Sequence, residues 1–455
     1  MRPNIQANST VCKRDKNQFD LDEQLLFHKK HFSTADLPDN LKSNLGKYYT
    51  PPHLVAMVKE LVQPYARPYS LIMDLAAGCG AFLDTFPDNP WIIRDIDEDA
   101  VNFLCLAGYI YARQDNSLAK VSRAKYRLRD DEHIICLGNP PYNDITSLNK
   151  RQGQNAKREI DFVIDPDIRS NDLGTSFLRA FNKLEADVIC VLHPLSYLIK
   201  KSNFENRLKN FKSEYRLQKG VIFSSNEFTD TQGTPFPIVA ALYLRDIWGM
   251  DYGYITDFPF QIYKSEDIYI LSDYETTDGY IKKYSPTHGL ATESEIGLYM
   301  HNFRDLNSLK TVGNLSDTEI PSVTLPVELD NLYKYAYLNT LRRYFPKDFR
   351  WGNLSPLVLS DQLDSDIYLQ DACIIDTILN NQRLKCFSDV ESGTLMAALK
   401  LSLLPKVVEP KLPDIYQMFR DFIHSGSCDS SALAQYLKSY FIELPQVMRR
   451  KKQKR

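Results

Sequence analysis

Between residues 46 and 245, short apolar runs alternate with segments of helical periodicity. That alternation restricts this part of the chain to an α/β arrangement around a parallel sheet. The runs are 71–75, 91–96, 134–137, 187–192, 220–223 and 238–244. Each is too short for a typical helix and is bounded by turn residues, the pattern of strands buried on both faces. The helical segments between them are 52–62, 98–111, 173–184 and 203–211. After Trp248 the texture changes. Residues 252–284 are rich in aromatics and turns, and helical patterns follow at 329–345, 414–423 and 431–441. A chain of 455 residues exceeds one ordinary core. These shifts divide it into an extension (1–45), an α/β domain (46–248) and a largely helical domain (249–455). There is no internal repeat.

Charge and cysteine usage narrow the class. The formal net charge is −3, so a nucleic-acid partner is not visible in the total, and any basic surface must be gathered locally. Such gatherings occur at Lys150, Arg151, Lys157 and Arg158, at Lys200 and Lys201, at Lys209 and Lys212, and at Arg342 and Arg343. The basic tail after Met448 reads either as a solvated end or as a phosphate contact. No apolar run of about 18 residues predicts a membrane span. The first residues lack the apolar core of a signal peptide. The eight cysteines are scattered, without Cys-x-x-Cys pairs, as free thiols of a cytoplasmic protein are.

Four motifs carry chemistry. Asp74-Leu-Ala76-Ala-Gly78-Cys-Gly80 follows an apolar run, where glycines let the backbone approach a ligand and turn tightly into a helix. Asp95, followed by Ile96, ends the next strand, and a carboxylate there suits a ribose diol. Acids also close strands and cap helices, so neither motif decides alone. Asp115, in Gln114-Asp-Asn-Ser, could hold an adenine amine, or simply form a turn. The fourth is the sharpest: a strand running into Asn139-Pro140-Pro141-Tyr142. The prolines stiffen the backbone and remove two donors. What remains is a rigid pair of acceptors, the Asn139 side-chain oxygen and the Pro140 carbonyl, beside an aromatic plane. Two acceptors can grip both hydrogens of an aromatic amine and free its lone pair toward an electrophilic methyl.

Together these motifs resemble the amino-methyltransferases of the class I S-adenosyl-L-methionine (SAM)-dependent fold. Upstream, Gly46-Lys-Tyr-Tyr49-Thr50-Pro51-Pro resembles the Tyr-Tyr-Thr-Pro element of adenine-specific DNA methyltransferases of restriction–modification systems. The motif order is that of the gamma class. The resemblance covers roughly residues 44–245. It implies a mostly parallel seven-stranded sheet, followed by a C-terminal target-recognition domain. Tyr49, Thr50 and Pro51 would lie along the methionine part of SAM. Asp74, Ala76, Gly78 and Gly80 would shape its pocket, and Asn139 would border it. Asp95 and Ile96 would meet the ribose and its surroundings, and Asp115 the cofactor's adenine. Asn139, Pro140, Pro141 and Tyr142 would hold the target base. Residues 222–228 and 237–243 resemble the family's hairpin, with Phe228 against the flipped base and Phe223 as second choice. Leu75 and Ala77 depart from the common glycine-loop pattern, and Asp95 stands where Glu is usual.

The reading is therefore transfer of a methyl group to adenine N6 in double-stranded DNA. It implies no metal, a possible cognate restriction endonuclease as partner, no membrane, and a monomer by default. Protein glutamine N5-methylation poses the same nitrogen problem, but without the Tyr-Tyr-Thr-Pro element or a large C-terminal domain. Cytosine-N4 methylation usually has Ser where Asn139 stands. RNA adenine methylation and a binding-only module are further readings. Glu409-Pro-Lys411 matches a nuclease Glu-x-Lys but lacks an upstream Pro-Asp partner.

Overall fold

The computed structural model describes residues 50–142, 163–228, 235–285, 294–301, 315–321, 323–346, 349–351, 356–357, 363–388, 399 and 409–452. It divides into two compact units, between Ile270 and Leu271. The division falls later in the chain than 248/249 because residues 251–269 build onto the sheet of the first unit.

That sheet has nine strands: β1 (Leu71–Asp74), β2 (Trp91–Asp95), β3 (Arg113–Gln114), β4 (Ile134–Gly138), β5 (Val188–Pro194), β6 (Tyr215–Ser224), β7 (Pro237–Arg245), β8 (Phe260–Ile262) and β9 (Ile268–Tyr269). Their order is β3-β2-β1-β4-β5-β7-β6-β8-β9. Strands β3 to β5 pair in parallel, with Ile72 beside both Trp91 and Ile135. β7 runs antiparallel between β5 and β6. β8 and β9 exceed the expected seven strands: β8 joins β6 in parallel and β9 returns on β8. The central strands are buried along their whole length, as their uninterrupted apolar runs require.

Helix α1 (Pro52–Val62) opens with proline, which has no N–H to leave unsatisfied at a helix start. It buries Leu54, Met57, Val58 and Val62 in a cluster with Ile135, Cys190 and Ala240 of the sheet. Helix α2 (Glu98–Leu106) is capped by Asp97, whose side chain accepts from Asp99 N. It ends earlier than 111 because Gly108 turns the chain at φ +100°. Helix α3 (Leu173–Lys183) is capped by Asp172. The short helices α4 (Ser196–Ile199), α5 (Lys201–Arg207) and α6 (Lys209–Glu214) follow β5. The single helix expected at 203–211 is thus two, broken at Leu208. Helix α7 (Tyr252–Thr256) precedes β8.

The second unit is mainly helical: α8 (Thr277–Lys283), α9 (Leu332–Tyr344), α10 (Ile367–Leu379), α11 (Lys385–Ser388), α12 (Ile415–Ser425) and α13 (Ser431–Lys452). A three-stranded antiparallel sheet and a two-stranded ladder accompany them. Its core gathers Tyr335, Tyr337 and Leu341 of α9, Cys373 and Ile375 of α10, Phe419 of α12 and Phe441 of α13. No helix among the described residues is long and apolar enough to cross a membrane.

Candidate active site

Parallel strands deliver their C-terminal residues to one edge of the sheet, where open α/β sheets bind ligands. Here that edge carries Asp74 from β1, Asp95 from β2, Asp115 just past β3 and Asn139 just past β4.

The glycine loop is held from below. Asp95 Oδ2 accepts from Gly78 N at 2.7 Å, and Asp95 Oδ1 accepts from Asp97 N at 2.8 Å. Asp95 therefore shapes the loop as well as facing the edge. Gly80, at φ +78°, packs so closely on α2 that a Cβ would stand 2.6 Å from Leu104 Cδ2. Asp74 is 2% exposed, with Oδ1 accepting from Ala76 N at 3.2 Å. Burial pushes its carboxyl up to about 7; the Ala76 N–H pulls it back in part, and the nearby Asp95 charge adds to the rise. Among the described residues, no cationic side chain offsets this rise. Ile96 leaves 46% of its surface exposed beside Asp95, an apolar face at a polar edge. Asp115 N donates to the Asp95 carbonyl at 2.8 Å. Its carboxylate pairs with Lys125 Nζ at 2.9 Å, a partner the sequence does not reveal.

Across β4, Gly138 stands at φ +150°, and a Cβ there would meet Asp74 Oδ1 at 3.0 Å. Glycine at 138 thus lets the Asn-Pro-Pro-Tyr loop leave the sheet directly above Asp74. Asn139 Nδ2 donates to Thr50 Oγ1 at 3.2 Å. This bond orients the amide and leaves its oxygen as the open end. Asn139 Oδ1 is buried and has no hydrogen-bond partner among the described residues. Pro140 is buried, and Pro141 and Tyr142 are half-buried. Thr50 is buried at the start of α1, next to Pro51, and so joins the loop as expected for its element. Tyr49 lies outside the described residues, as do Lys150, Arg151, Lys157 and Arg158.

Phe228, expected against the target base, lies at the end of the turn that follows β6. It is 2% exposed and packs edge-on to Phe223, with ring centroids 5.9 Å apart. A ring that stacks on a base needs an open face, and in this arrangement both phenylalanines belong to the core. Phe236, at the start of the β6–β7 return, is half-buried and packs against the same cluster as Tyr142. Only its position beside Pro237 signals this in sequence. Of the basic groups, Lys212 is paired with Glu205, and Arg343 Nε lies 3.5 Å from the buried Asp376.

The strand order β3-β2-β1-β4-β5-β7-β6, with β7 alone reversed among the first seven, decides the fold. It is the class I SAM-dependent methyltransferase fold. No family model matches the chain, and no curated protein matches it. Among solved structures with this fold, a candidate RNA methyltransferase of Pyrococcus horikoshii shares 14% identity over 51% of this chain and 98% of its own, with a TM-score of 0.32. The modification subunit of a candidate type I restriction enzyme of Vibrio vulnificus shares 14% over 56% of each chain, at 0.36. The methyltransferase subunit of a type I restriction–modification system of Streptococcus thermophilus shares 10% over 44% of each, at 0.31. The chain spans about half the length of these two subunits. Likenesses this distant carry no argument about substrate or partner.

Proposed function

We propose that the protein transfers the methyl group of SAM to the N6 amine of an adenine rotated out of duplex DNA, as a modification enzyme of a restriction–modification system. The observation that carries this reading is the Asn139 amide: its nitrogen is committed to Thr50, and its buried oxygen has no partner among the described residues. A buried acceptor left unpaired is costly unless a ligand completes it. An amine hydrogen completes it here, and the neighbouring Pro140 carbonyl takes the second.

The edge also fits the cofactor. The acidic Asp74 suits the ammonium of a methionine moiety, Asp95 a ribose diol, Ile96 the face of a purine, and Asp115 the amine at its rim. Bound there, SAM supplies an electrophilic sulfonium methyl. Asn139 and Pro140 orient the target nitrogen and disfavour conjugation of its lone pair with the ring. Tyr142 stacks on the base and offsets part of the cost of unstacking it, by about 1–3 kcal/mol. Positioning supplies much of the acceleration. The second unit is the target-recognition domain in this reading, and the cytoplasm the compartment.

The test is direct. Purified protein is incubated with tritiated-methyl SAM and DNA lacking adenine methylation, and the nucleosides are separated, with Asn139→Ala as control. Label in N6-methyladenosine that the control lacks is the expected result. Label in N4-methylcytosine changes the base. Transfer to protein but not to DNA overturns the reading in favour of glutamine, whose amide would satisfy the same acceptors.

A further inference from the structure

Behind Tyr142 lies a buried polar stack with no part in the reaction as described above. Tyr197 of α4 is 2% exposed and donates its hydroxyl to Asp172 Oδ1. Asp172 is itself buried; its Oδ1 accepts from Thr175 N at 3.3 Å at the start of α3, and Arg207 Nη1 lies 3.7 Å from Oδ2. The Tyr197 ring stacks on His193, with centroids 5.1 Å apart and planes at 16°. His193 stacks in turn on Tyr243 at 6.1 Å, and its Nε2 is 2.7 Å from the Tyr243 hydroxyl. The stack runs from strands β5 and β7 up to the base of the Asn-Pro-Pro-Tyr loop.

Gly174 is where the two meet. It lies in the first turn of α3 with ordinary helical backbone, so no positive φ calls for glycine. In a helix, glycine costs about 1 kcal/mol relative to alanine. Space accounts for it: a Cβ at 174 would stand 2.6 Å from the Tyr197 hydroxyl oxygen and 3.2 Å from Tyr142 Cβ. Tyr142 is thus backed by a helix turn that Asp172 caps and Tyr197 pins.

We propose that Gly174 and the Tyr197–Asp172 pair are positioning residues that seat the Tyr142 ring at the height where the target base is held. The inference rests on the stacking role given to Tyr142 above. A planar platform works only if it is fixed to within a fraction of an ångström, and rigid neighbours supply that precision. Tyr197 and His193 are stiff, buried and hydrogen-bonded, and they transmit the position of the sheet to the loop.

The experiment places 3-fluorotyrosine at position 142 and follows its fluorine resonance alongside methyl transfer, in the full-length wild type, Gly174→Ala, and Gly174→Ala combined with Tyr197→Phe. In Gly174→Ala the resonance shifts and kcat falls by about 100-fold, the scale of a 1 Å misplacement. SAM affinity by calorimetry and the melting curve show that the cofactor pocket is kept. In the double variant the hydroxyl that the new methyl meets is gone, and part of both effects is regained. A purely structural role would lower the melting temperature and give no such rescue. If Gly174→Ala does not fold, Tyr197→Phe alone carries the test, with a broadened Tyr142 resonance expected. An unmoved resonance with wild-type kcat overturns the proposal. A shifted resonance in a protein that methylates no DNA upholds the seating of Tyr142 and sinks the reaction instead.

Discussion

Thr50 Oγ1 accepts the Asn139 amide N–H at 3.2 Å, joining residues 89 positions apart in the chain. One hydroxyl thereby decides which end of the amide is left open, the end that the proposed reaction gives to the target amine. Thr50→Val keeps the shape and removes the acceptor, so the amide can turn its nitrogen outward. A hydrogen bond of this kind is worth about 1 kcal/mol. We expect single-turnover methyl transfer to slow by about fivefold to tenfold in Thr50→Val, and Thr50→Ser to stay near wild type. If the serine variant falls as far as the valine variant, side-chain packing rather than amide orientation is what Thr50 provides.

The pH dependence of Asp74 has a definite sign. Its ordinary value is 3.8, and burial raises it to about 7 in the folded protein. A carboxyl raised on folding stabilises the fold fully below its unfolded value, and that contribution is lost as the pH rises through the folded one. Asp74→Asn keeps an oxygen for the Ala76 N–H and removes the titration. The melting temperature of the variant relative to wild type should therefore climb between about pH 4 and pH 7 and stay level above. His193, lowered to about 4 by burial, works in the opposite direction: its neutral state loses stability as the pH falls below its ordinary 6.5. It is common to both proteins and cancels in the difference. A cationic ligand group beside Asp74 favours the ionised form, so wild-type SAM affinity should weaken below about pH 7, a trend absent from the variant.

The residues at the strand ends also show what could be read from the chain. Asp74, Asp95 and Asn139 each end an apolar run, and a parallel sheet sends such ends to one edge, so their meeting follows from local pattern. The six strand runs seen in sequence all form strands. Strand β3 is two exposed residues, and β8 and β9 are three and two, too short for any periodicity to mark. The Thr50–Asn139 bond, the Lys125–Asp115 pair and the space at Gly174 depend on side chains that only the fold brings together. The burial of Phe228 has the same origin. An aromatic residue after a strand reads alike whether its ring faces a ligand or the core, and here Phe223 and the sheet claim it.

The two glycines of the loop after β1 should separate stability from the proposed SAM binding. At Gly80, alanine faces two costs at once. The backbone stays at φ +78°, and its methyl must enter space held by Leu104 Cδ2 at 2.6 Å and Leu83 Cδ1 at 2.9 Å. Both leucines are buried, so neither can swing into solvent. Left-handed backbone costs about 1–2 kcal/mol and overpacking about 1–3 kcal/mol, so Gly80→Ala should lose about 2–5 kcal/mol in denaturant unfolding. At Gly78 the backbone is also left-handed, at φ +51°, but apart from its chain neighbours no described residue lies within 4 Å of the added methyl. Gly78→Ala should therefore lose only about 1–2 kcal/mol, the left-handed backbone cost. Its methyl projects into the space assigned to the cofactor, so its SAM affinity should drop by tenfold or more on the ~1.4 kcal/mol per decade scale. Calorimetric titration of both folded variants with SAM checks the crossing. If Gly78→Ala binds SAM as wild type does, the loop backs the cofactor from a distance, and the pocket wall must be sought at Asp95 and Ile96 instead.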